Sequence, residues 1–343
     1  MIKTLSFPSV VEINNFELKK VSDNLINGLK LKNGDVYYII GELALEEGSS
    51  PHKSINSAPT DTDYQLLLKT SLLLAYNHLQ MPFYVTAGFP FITYQLYRND
   101  AINFIQQNHT IQFDASTCTN FGISQVNANV IKTMILSEIQ GCDIAIRKGE
   151  TEEKSSFFIV GLGYGTFEAA LSNENGITQR TFVSSQGIRY AVNMLARELL
   201  QSYYVGLITE HQFDMGFKTG TLTMNRKNID IKEFRKRALL NYYKEVISPM
   251  LKKSFTDNDF SKCKKMYLVG GGALYPELLD CFNKEFKDLL EIIVYPEPTT
   301  CASKGYCIYS KEALENNDAA AVGIDIGNST TRISFYDDID VKS

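Results

Sequence analysis

The chain has 343 residues, of which 44% are hydrophobic and 21% are charged, and its formal net charge is −5. This length exceeds that of one typical domain, so two lobes with separate cores are expected. A net negative charge argues against direct nucleic-acid binding through a global basic field. No apolar run approaches the roughly 18–20 residues that a membrane-spanning helix needs, and no signal-peptide pattern opens the chain, so a cytoplasmic protein is expected.

Cysteine and histidine spacing predicts no metal or thiol site. The six cysteines form no Cys-x-x-Cys pair and have no histidine close by, so reduced cytosolic thiols are the expectation. The four histidines are scattered among polar residues. Exposed or core-satisfied histidines are therefore favoured over a histidine-based catalytic site.

Strand and helix patterns alternate along the chain. Short apolar runs bounded by turn residues predict strands over 36–40, 83–87, 157–160 and 266–269. Apolar periodicity predicts helices over 63–80, 92–107, 125–139, 187–205 and 231–253. A charged stretch at 147–156 predicts a lobe boundary. Alternating strands and helices favour an α/β layer structure.

The end of the chain contains a hairpin with unusual chemistry, over 322–337. An apolar strand runs into Asp325-Ile-Gly327, and small polar residues lead to Arg332 in a second strand. We call Asp325–Arg332 the C-terminal turn. Such a turn directs backbone N–H groups and hydroxyls toward one point, which suits phosphate. The carboxylate of Asp325 can hold a hydrated Mg²⁺, because hard cations take oxygen ligands and keep much of their water.

Two further glycine-rich turns lie upstream. The middle turn, Gly161–Glu168, has glycines at alternate positions between two strand patterns, so backbone can approach a ligand oxyanion closely; a simple bulged hairpin is the alternative. The glycine turn, Gly270–Ala273, joins a buried strand to a helix. Backbone without side chains there lets a flat group such as a purine lie against it, and a helix N-terminus beside it favours phosphate.

The three turns together resemble those of the actin-like ATPases of the actin, Hsp70 and sugar-kinase superfamily, and in particular the ParM/StbA-type bacterial and archaeal actins. The resemblance covers essentially the whole chain. It implies an α/β fold of two lobes, a duplicated ribonuclease H-like fold whose turns converge on one nucleotide in a cleft. Lobe I is expected to be 1–145 with 308–343, and lobe II 146–307.

The resemblance also implies roles for single residues, with ATP or ADP and Mg²⁺ as cofactors. Asp325 would be the metal ligand and a catalytic residue, Gln125 would orient the attacking water, and Glu168 would be a further catalytic carboxylate. The residues implied in cofactor binding are Asn328, Ser329, Thr330, Arg332, Gly161, Gly163, Tyr164, Gly165, Thr166, Gly270, Gly271, Gly272, Ala273 and Lys304.

The chain departs from the family pattern in two ways. The hairpin that opens the family's chains closes this one, which predicts a circular permutation with the former ends joined over 314–321. Gly161 stands where the family has aspartate, which predicts slow ATP hydrolysis. Glu168 would compensate only if the backbone shifts, and a surface carboxylate at a strand end is the alternative.

The implied function is a nucleotide-switched filament of identical subunits that moves or positions plasmid DNA through an adaptor protein. No direct nucleic-acid or membrane contact is expected. Two alternatives stay open: a kinase of the same superfamily, for which no catalytic aspartate stands out, and a nucleotide-binding protein that does not polymerise.

Overall fold

The computed structural model of the protein describes residues 1–53, 57–201, 208–224, 226–315 and 318–337. By their contacts the residues form two compact units, which we call unit 1 (Met1–Glu153 with Thr300–Ser343) and unit 2 (Lys154–Thr299). Each unit contains its own large sheet and its own hydrophobic core. No helix of the described residues is long and apolar enough to cross a membrane.

Seventeen strands and eleven helices are named here in chain order. The first part contains β1 (Ile2–Pro8), β2 (Val11–Ile13), β3 (Lys30–Asn33), β4 (Val36–Ile40), α1 (Glu42–Glu47), α2 (Thr62–Leu79), β5 (Phe83–Phe89), α3 (Phe91–Ile105), β6 (Asn108–Asp114), β7 (Ile123–Ser137) and α4 (Glu138–Lys148). The second part contains β8 (Phe157–Leu162), β9 (Thr166–Asn173), β10 (Gly176–Ile177), β11 (Val183–Gln186), α5 (Arg189–Leu200), α6 (Glu210–Thr219), β12 (Thr221–Met224), β13 (Lys227–Asp230), α7 (Lys232–Tyr242), α8 (Ser248–Ser254), α9 (Asp257–Phe260), β14 (Lys265–Val269), α10 (Pro276–Phe286), β15 (Glu291–Val294), α11 (Cys301–Glu312), β16 (Ala320–Ile326) and β17 (Thr330–Tyr336).

The sheet of unit 1 has nine strands in the order β1-β17-β16-β5-β7-β6-β3-β4-β2. Strand β5 lies parallel to both of its neighbours, β16 and β7. All seven residues of β5 are buried, as expected of a central parallel strand with both faces covered. Helix α2 packs its leucines on one face of this region, where Val322 and Ile324 join the core.

Helices α4 and α11 cover the other face through contacts between backbones. A Cβ atom at Gly305 would lie 1.8 Å from the carbonyl oxygen of Gly141, and one at Gly323 would lie 2.2 Å from that of Ser303. Both helices are thereby held in unit 1. The predicted lobe limits assigned 146–153 and 300–307 to lobe II, whereas the contacts place these residues in unit 1.

Unit 2 is built on a six-stranded sheet in which β8 and β9 form a hairpin and β14 lies parallel to β8 and β15. One face carries the core: Phe158, Val160 and Leu162 of β8 and Phe167 and Ala169 of β9 belong to it, together with residues of α5, α7 and α10. Because strand residues alternate between faces, Gly161 and Glu168 lie on the opposite face.

One predicted helix is wrong. Residues 125–139 are mostly strand β7, which pairs along its length with β6 and β5. Exposed and less exposed residues alternate along its first half, which is the period of a strand with one solvated face. The predicted helix 187–205 is observed as α5, and residues 202–207 lie outside the described part. The predicted helix 231–253 is α7 and α8, joined by a π-helical turn at Tyr243–Ile247.

The two ends of the described chain are neighbours. Strand β1 pairs antiparallel with β17 from Ile2–Tyr336 to Pro8–Thr330, and the Asp337 N–H donates to the Met1 carbonyl at 3.1 Å. The circular permutation stays a prediction. Two residues of the predicted join, 316 and 317, lie outside the described residues.

The contact between α4 and α11 predicts the effect of one added methyl group. Gly305→Ala would force backbone atoms apart and should cost about 3 kcal/mol of the free energy of unfolding or more. Urea denaturation followed by circular dichroism measures it. Gly122→Ala is the matched control, because nothing lies within 4 Å of a Cβ atom there. Equal midpoints for the two variants would show that the helices can move apart without cost.

Candidate functional site

The C-terminal turn is a tight connection between β16 and β17 that is anchored from outside. Asp325 lies directly opposite Arg332 in the hairpin. The Ser9 N–H donates to the carbonyl of Ser329 at 3.1 Å, and the Ser9 hydroxyl is 2.9 Å from the buried hydroxyl of Thr331. The end of β1 therefore fixes the position of the turn.

Asp325 is a buried carboxylate whose charge is only partly balanced. It is 9% exposed, and the nearest guanidinium nitrogen of Arg332 is 3.9 Å from its Oδ2. Burial raises the pKa of Asp325, and the positive charge of Arg332 opposes that shift. Burial likewise lowers the pKa of Arg332. A further cation near this carboxylate would stabilise its ionised form.

Gln125 cannot reach Asp325, so its predicted role beside this carboxylate is wrong. Ile324 pairs with Ala87, and Ala87 pairs with Ile135 of β7; Asp325 lies one residue farther along the sheet. Gln125 stands ten residues before Ile135 on the same strand, which is about 33 Å at 3.3 Å per residue. It is exposed there and accepts a hydrogen bond from Gln112 at 3.1 Å.

A second carboxylate, Glu138, lies at the same end of the sheet as Asp325 and was not selected by the sequence analysis. Strand β7 ends at Ser137, and Glu138 begins α4. The pKa of the buried Cys142 thiol is raised by a hydrogen bond with Cys301 and by burial, and the charges of Asp325 and Glu138 raise it further. The sequence signal was an acidic residue directly after a strand, which the predicted helix over 125–139 concealed.

The middle turn is closed by its own backbone and held from behind. The Gly163 N–H donates to the Thr166 carbonyl at 2.9 Å. The N–H groups at the start of α5 bond the turn's carbonyls: Gly187 to Gly165 at 3.0 Å, Ile188 to Gly163 at 3.0 Å and Arg189 to Tyr164 at 2.9 Å. Because the N–H of a trans peptide points opposite to its carbonyl, the N–H groups of Tyr164 and Gly165 face away from α5. Such outward N–H groups can hold an anion.

Glu168 is not the surface carboxylate that the sequence left as an alternative. It is 2% exposed and pairs with Gly161 on one side and Ser184 on the other. Directly opposed residues of an antiparallel pair share a face, with Cβ atoms about 4.5–5.5 Å apart. The Glu168 side chain therefore lies beside the position where Gly161 lacks one, without a backbone shift.

An ion pair ties the middle turn to α6. Arg189 Nε donates to Glu210 Oε1 at 2.6 Å, and the Tyr164 hydroxyl donates to the same oxygen at 3.1 Å. Burial, followed by the charges of Asp214 and Glu210, raises the pKa of Tyr164. The phenol stays protonated and keeps donating.

The glycine turn has no room for a side chain at Gly270 but has room for one at Gly271. Gly270 has a φ of +83°, and a Cβ atom there would lie 2.7 Å from the Leu162 carbonyl oxygen. Gly271 is exposed, and nothing lies within 4 Å of a Cβ atom on it. The turn thus presents bare backbone at Gly271, while Gly270 fixes its path. Just after the turn, Glu277 at the start of α10 accepts a hydrogen bond from Arg235 of α7 at 3.0 Å.

Lys304 and the possible metal ligands complete the site residues. The Lys304 ammonium is 4.0 Å from Glu150 Oε1, and its side chain is 11% exposed; its part in cofactor binding stays a prediction. The described residues contain no group of three or more His, Cys, Asp or Glu side chains that could hold a metal ion. A single carboxylate such as Asp325 can hold Mg²⁺ through the ion's water ligands.

A comparison with known protein families finds a match for the first part of the chain. Residues 2–138 match the family described as actin like proteins N terminal domain. The solved structures similar to this chain show that it has an actin-like fold. Comparison with curated protein sequences finds no match.

Solved structures with the same fold cover nearly the whole chain. A pCBH ParM non-polymerisable quadruple mutant matches with a TM-score of 0.72 and 15% identity over 89% of this chain and 92% of that one. The archaeal actin homolog Ta0583, in complex with ADP, matches with a TM-score of 0.68 and 14% identity over 89% and 92%. The ParM of a 15-stranded filament from Clostridium botulinum matches with a TM-score of 0.65 and 13% identity over 89% and 92%. The predicted fold class is confirmed.

The pair of Asp325 and Arg332 predicts a pH-dependent loss of stability when the cation is removed. Arg332→Gln leaves a buried carboxylate uncompensated and should cost about 3 kcal/mol at pH 8. A carboxyl whose pKa is raised in the folded state loses stability as pH rises through that value, so the deficit should shrink toward pH 5. Urea unfolding at both pH values measures it.

Two controls accompany this measurement. Asp325→Asn combined with Arg332→Gln should recover most of the loss, because the carboxylate is gone. Lys3→Gln removes one partner of a partly exposed ion pair at 3.8 Å and should change little at either pH. A deficit of the same size at pH 5 and pH 8 would show that Asp325 is not its source.

Proposed function

We propose that this actin-like chain binds ATP and Mg²⁺, hydrolyses the nucleotide slowly and assembles into filaments of its own copies. The support is the fold shared with an archaeal actin homolog that was solved with ADP and with a ParM that was solved as a filament. The proposed biological role is that of a ParM-like filament that positions plasmid DNA through an adaptor protein.

One observation carries the nucleotide-binding part: the two hairpin turns have the same layout. Each spans eight residues, with glycine at the third position and threonine at the sixth. In each, the first and eighth residues oppose each other, Asp325 with Arg332 and Gly161 with Glu168. Each turn can offer backbone N–H groups to a phosphate of a nucleotide.

The residues fit Mg²⁺ and nucleotide by their chemistry. Asp325 would hold the ion through water, since its buried charge is only partly balanced by Arg332 at 3.9 Å. When bound, Mg²⁺ would supply positive charge that stabilises the phosphates. The outward N–H groups of Tyr164 and Gly165 would donate to phosphate oxygens, and the bare backbone at Gly271 would lie against the purine.

The carboxylates divide the catalytic work differently from the sequence prediction. We assign the orientation of the attacking water to Glu138, because it shares the end of the sheet with Asp325 and Gln125 does not. Glu168 would supply, from the opposite strand, the carboxylate that Gly161 lacks. Catalysis of this kind consists mainly of positioning, so a carboxylate displaced to another strand should slow hydrolysis while binding persists.

Nucleotide binding is tested at the glycine turn. Gly271→Ala should fold normally, because its Cβ meets no protein atom within 4 Å, but the methyl group would intrude on a flat ligand. We expect ATP and ADP to bind about tenfold more weakly, measured by calorimetry. Gly122→Ala is the control with equally open surroundings. Unchanged affinity in Gly271→Ala would remove the purine from this turn, and no binding by the wild-type protein would overturn the proposed function.

The catalytic assignment is tested by phosphate release. Glu138→Gln should lower kcat by about 10²-fold, the range of a lost general base, while the Kd of ATP stays the same. Glu168→Gln should lower kcat as well. Gln125→Ala should leave kcat unchanged. A slower Gln125→Ala with an unaffected Glu138→Gln would reverse our assignment.

A further inference from the structure

The first residue of α6 closes a ring of hydrogen bonds around the middle turn. The Arg189 N–H donates to the Tyr164 carbonyl at 2.9 Å. The Arg189 side chain donates to both carboxylate oxygens of Glu210, at 2.6 and 3.2 Å. Glu210 also accepts from the Tyr164 hydroxyl at 3.1 Å. The backbone and the side chain of Tyr164 are therefore both held, and Glu210 is the residue that links these contacts.

Tyr164 lies in the part of the turn that would otherwise be least restrained. It stands between Gly163 and Gly165, and glycine has more accessible backbone conformations than any other residue. The peptide plane after Tyr164 carries the Tyr164 carbonyl and the Gly165 N–H on opposite sides. Holding the carbonyl toward α5 therefore aims this N–H outward. A turn that is already held in this form loses less conformational freedom when an anion binds.

The charge of Glu210 is balanced by its partner. A bare carboxylate beside an anion site would repel phosphate, but two hydrogen bonds from one guanidinium offset that charge. The side chains of Arg189 and Glu210 are 40% and 34% exposed, and ion pairs this accessible contribute little to stability. Thr209 and Gln212 cap the start of α6. A variant without the Glu210 carboxylate should therefore still fold.

The other end of α6 is anchored independently of the middle turn. Arg235 Nη1 donates to the carbonyls of Phe217 and Lys218 at 3.2 Å each. The Phe217 ring packs edge to face against Tyr275, which follows the glycine turn, with 5.5 Å between ring centroids. None of these contacts uses Glu210. Its loss should free the start of α6 and leave the surroundings of the glycine turn in place.

We propose that Glu210 is a positioning residue for phosphate at the middle turn, and that phosphate bound there holds the start of α6 in return. The inference rests on the proposed function and adds a residue that acts through Tyr164. Linkage makes the effect reciprocal, because a contact that favours the binding form of the turn is itself favoured when the ligand is bound. The effect of Glu210 should appear only with ligands that carry phosphate.

Glu210→Ala tests this inference with two ligands. Its Kd for ATP in calorimetry should rise about tenfold, the size of effect that one lost hydrogen bond to a charged group produces. Its Kd for adenosine, which has no phosphate, should equal that of the wild-type protein. Glu210→Gln should recover most of the loss, because an amide oxygen still accepts from Tyr164. Equal weakening for both ligands would mark Glu210 as merely structural and overturn the inference.

Hydrogen exchange measures the reciprocal effect. In the wild-type protein, saturating ATP should slow amide exchange over 211–214 by about tenfold in mass spectrometry, because bound phosphate holds the start of α6 closed. In Glu210→Ala, saturating ATP should leave exchange over 211–214 unchanged. Exchange over 215–219, at the anchored end, should be the same in both proteins. Equal protection of 211–214 by ATP in both proteins would contradict the inference.

Glu245→Ala is the matched control. Glu245 lies in the same unit and accepts from the Tyr190 hydroxyl at 2.7 Å, but neither residue belongs to one of the three turns. The control thus loses a carboxylate that accepts from a tyrosine, as Glu210→Ala does. It should bind ATP like the wild-type protein. The same weakening in both variants would show a general loosening of unit 2 and overturn a specific role for Glu210.

The remaining outcomes separate this inference from the proposed function. Unchanged ATP affinity in Glu210→Ala, or tighter binding through the released Arg189, would overturn the inference and leave nucleotide binding standing. A wild-type protein that binds inorganic pyrophosphate but not ATP, and loses pyrophosphate on Glu210→Ala, would support the inference and overturn the nucleotide part of the proposed function. A wild-type protein that binds neither ligand would overturn both.

Discussion

Unit 1 depends on close backbone contacts at three glycines of α4, α11 and β16. Gly141 of α4 and Gly305 of α11 meet directly, and Gly323 of β16 lies against the backbone of α11. This closeness lets α11 lie on β16, the strand that carries Asp325, with α4 packed against α11. It buries the carboxylate and fixes the helix that begins at Glu138. Close backbone packing at these glycines thus positions the two acidic groups of the candidate site.

The same burial has an electrostatic cost. Asp325 is removed from water and faces a guanidinium at 3.9 Å, too far for a hydrogen bond. A protein that served stability alone would replace such a pair by apolar groups. The middle turn of unit 2 has the same backbone layout but no acid at Gly161, and its carboxylate, Glu168, stands on the other strand. Two turns of one design therefore differ in where their charge lies.

The structure places Gln125 in surroundings that do not suit the catalytic role predicted for it. As a glutamine in a predicted helix it suited a catalytic role. On β7 its side-chain amide accepts a hydrogen bond from Gln112 on the neighbouring strand β6. The surrounding residues, 101–131, contain one acidic residue and no lysine or arginine. The chemistry of the side chain is unchanged, and the register of the strand decides that it faces solvent far from Asp325.

The sequence by itself determined the turns: glycine, hydroxyl and acidic residues at fixed spacing indicate local backbone geometry, and all three turns lie where predicted. It could not decide contacts between segments that are distant along the chain. Whether 125–139 is helix or strand depends on pairing with β5 and β6. The position of Glu168 beside Gly161 follows from hairpin register, and the place of 300–307 in unit 1 from the contact of α11 with α4. Tertiary structure decided these points, because strand pairing and glycine-to-glycine packing gain their energy only once distant segments have met.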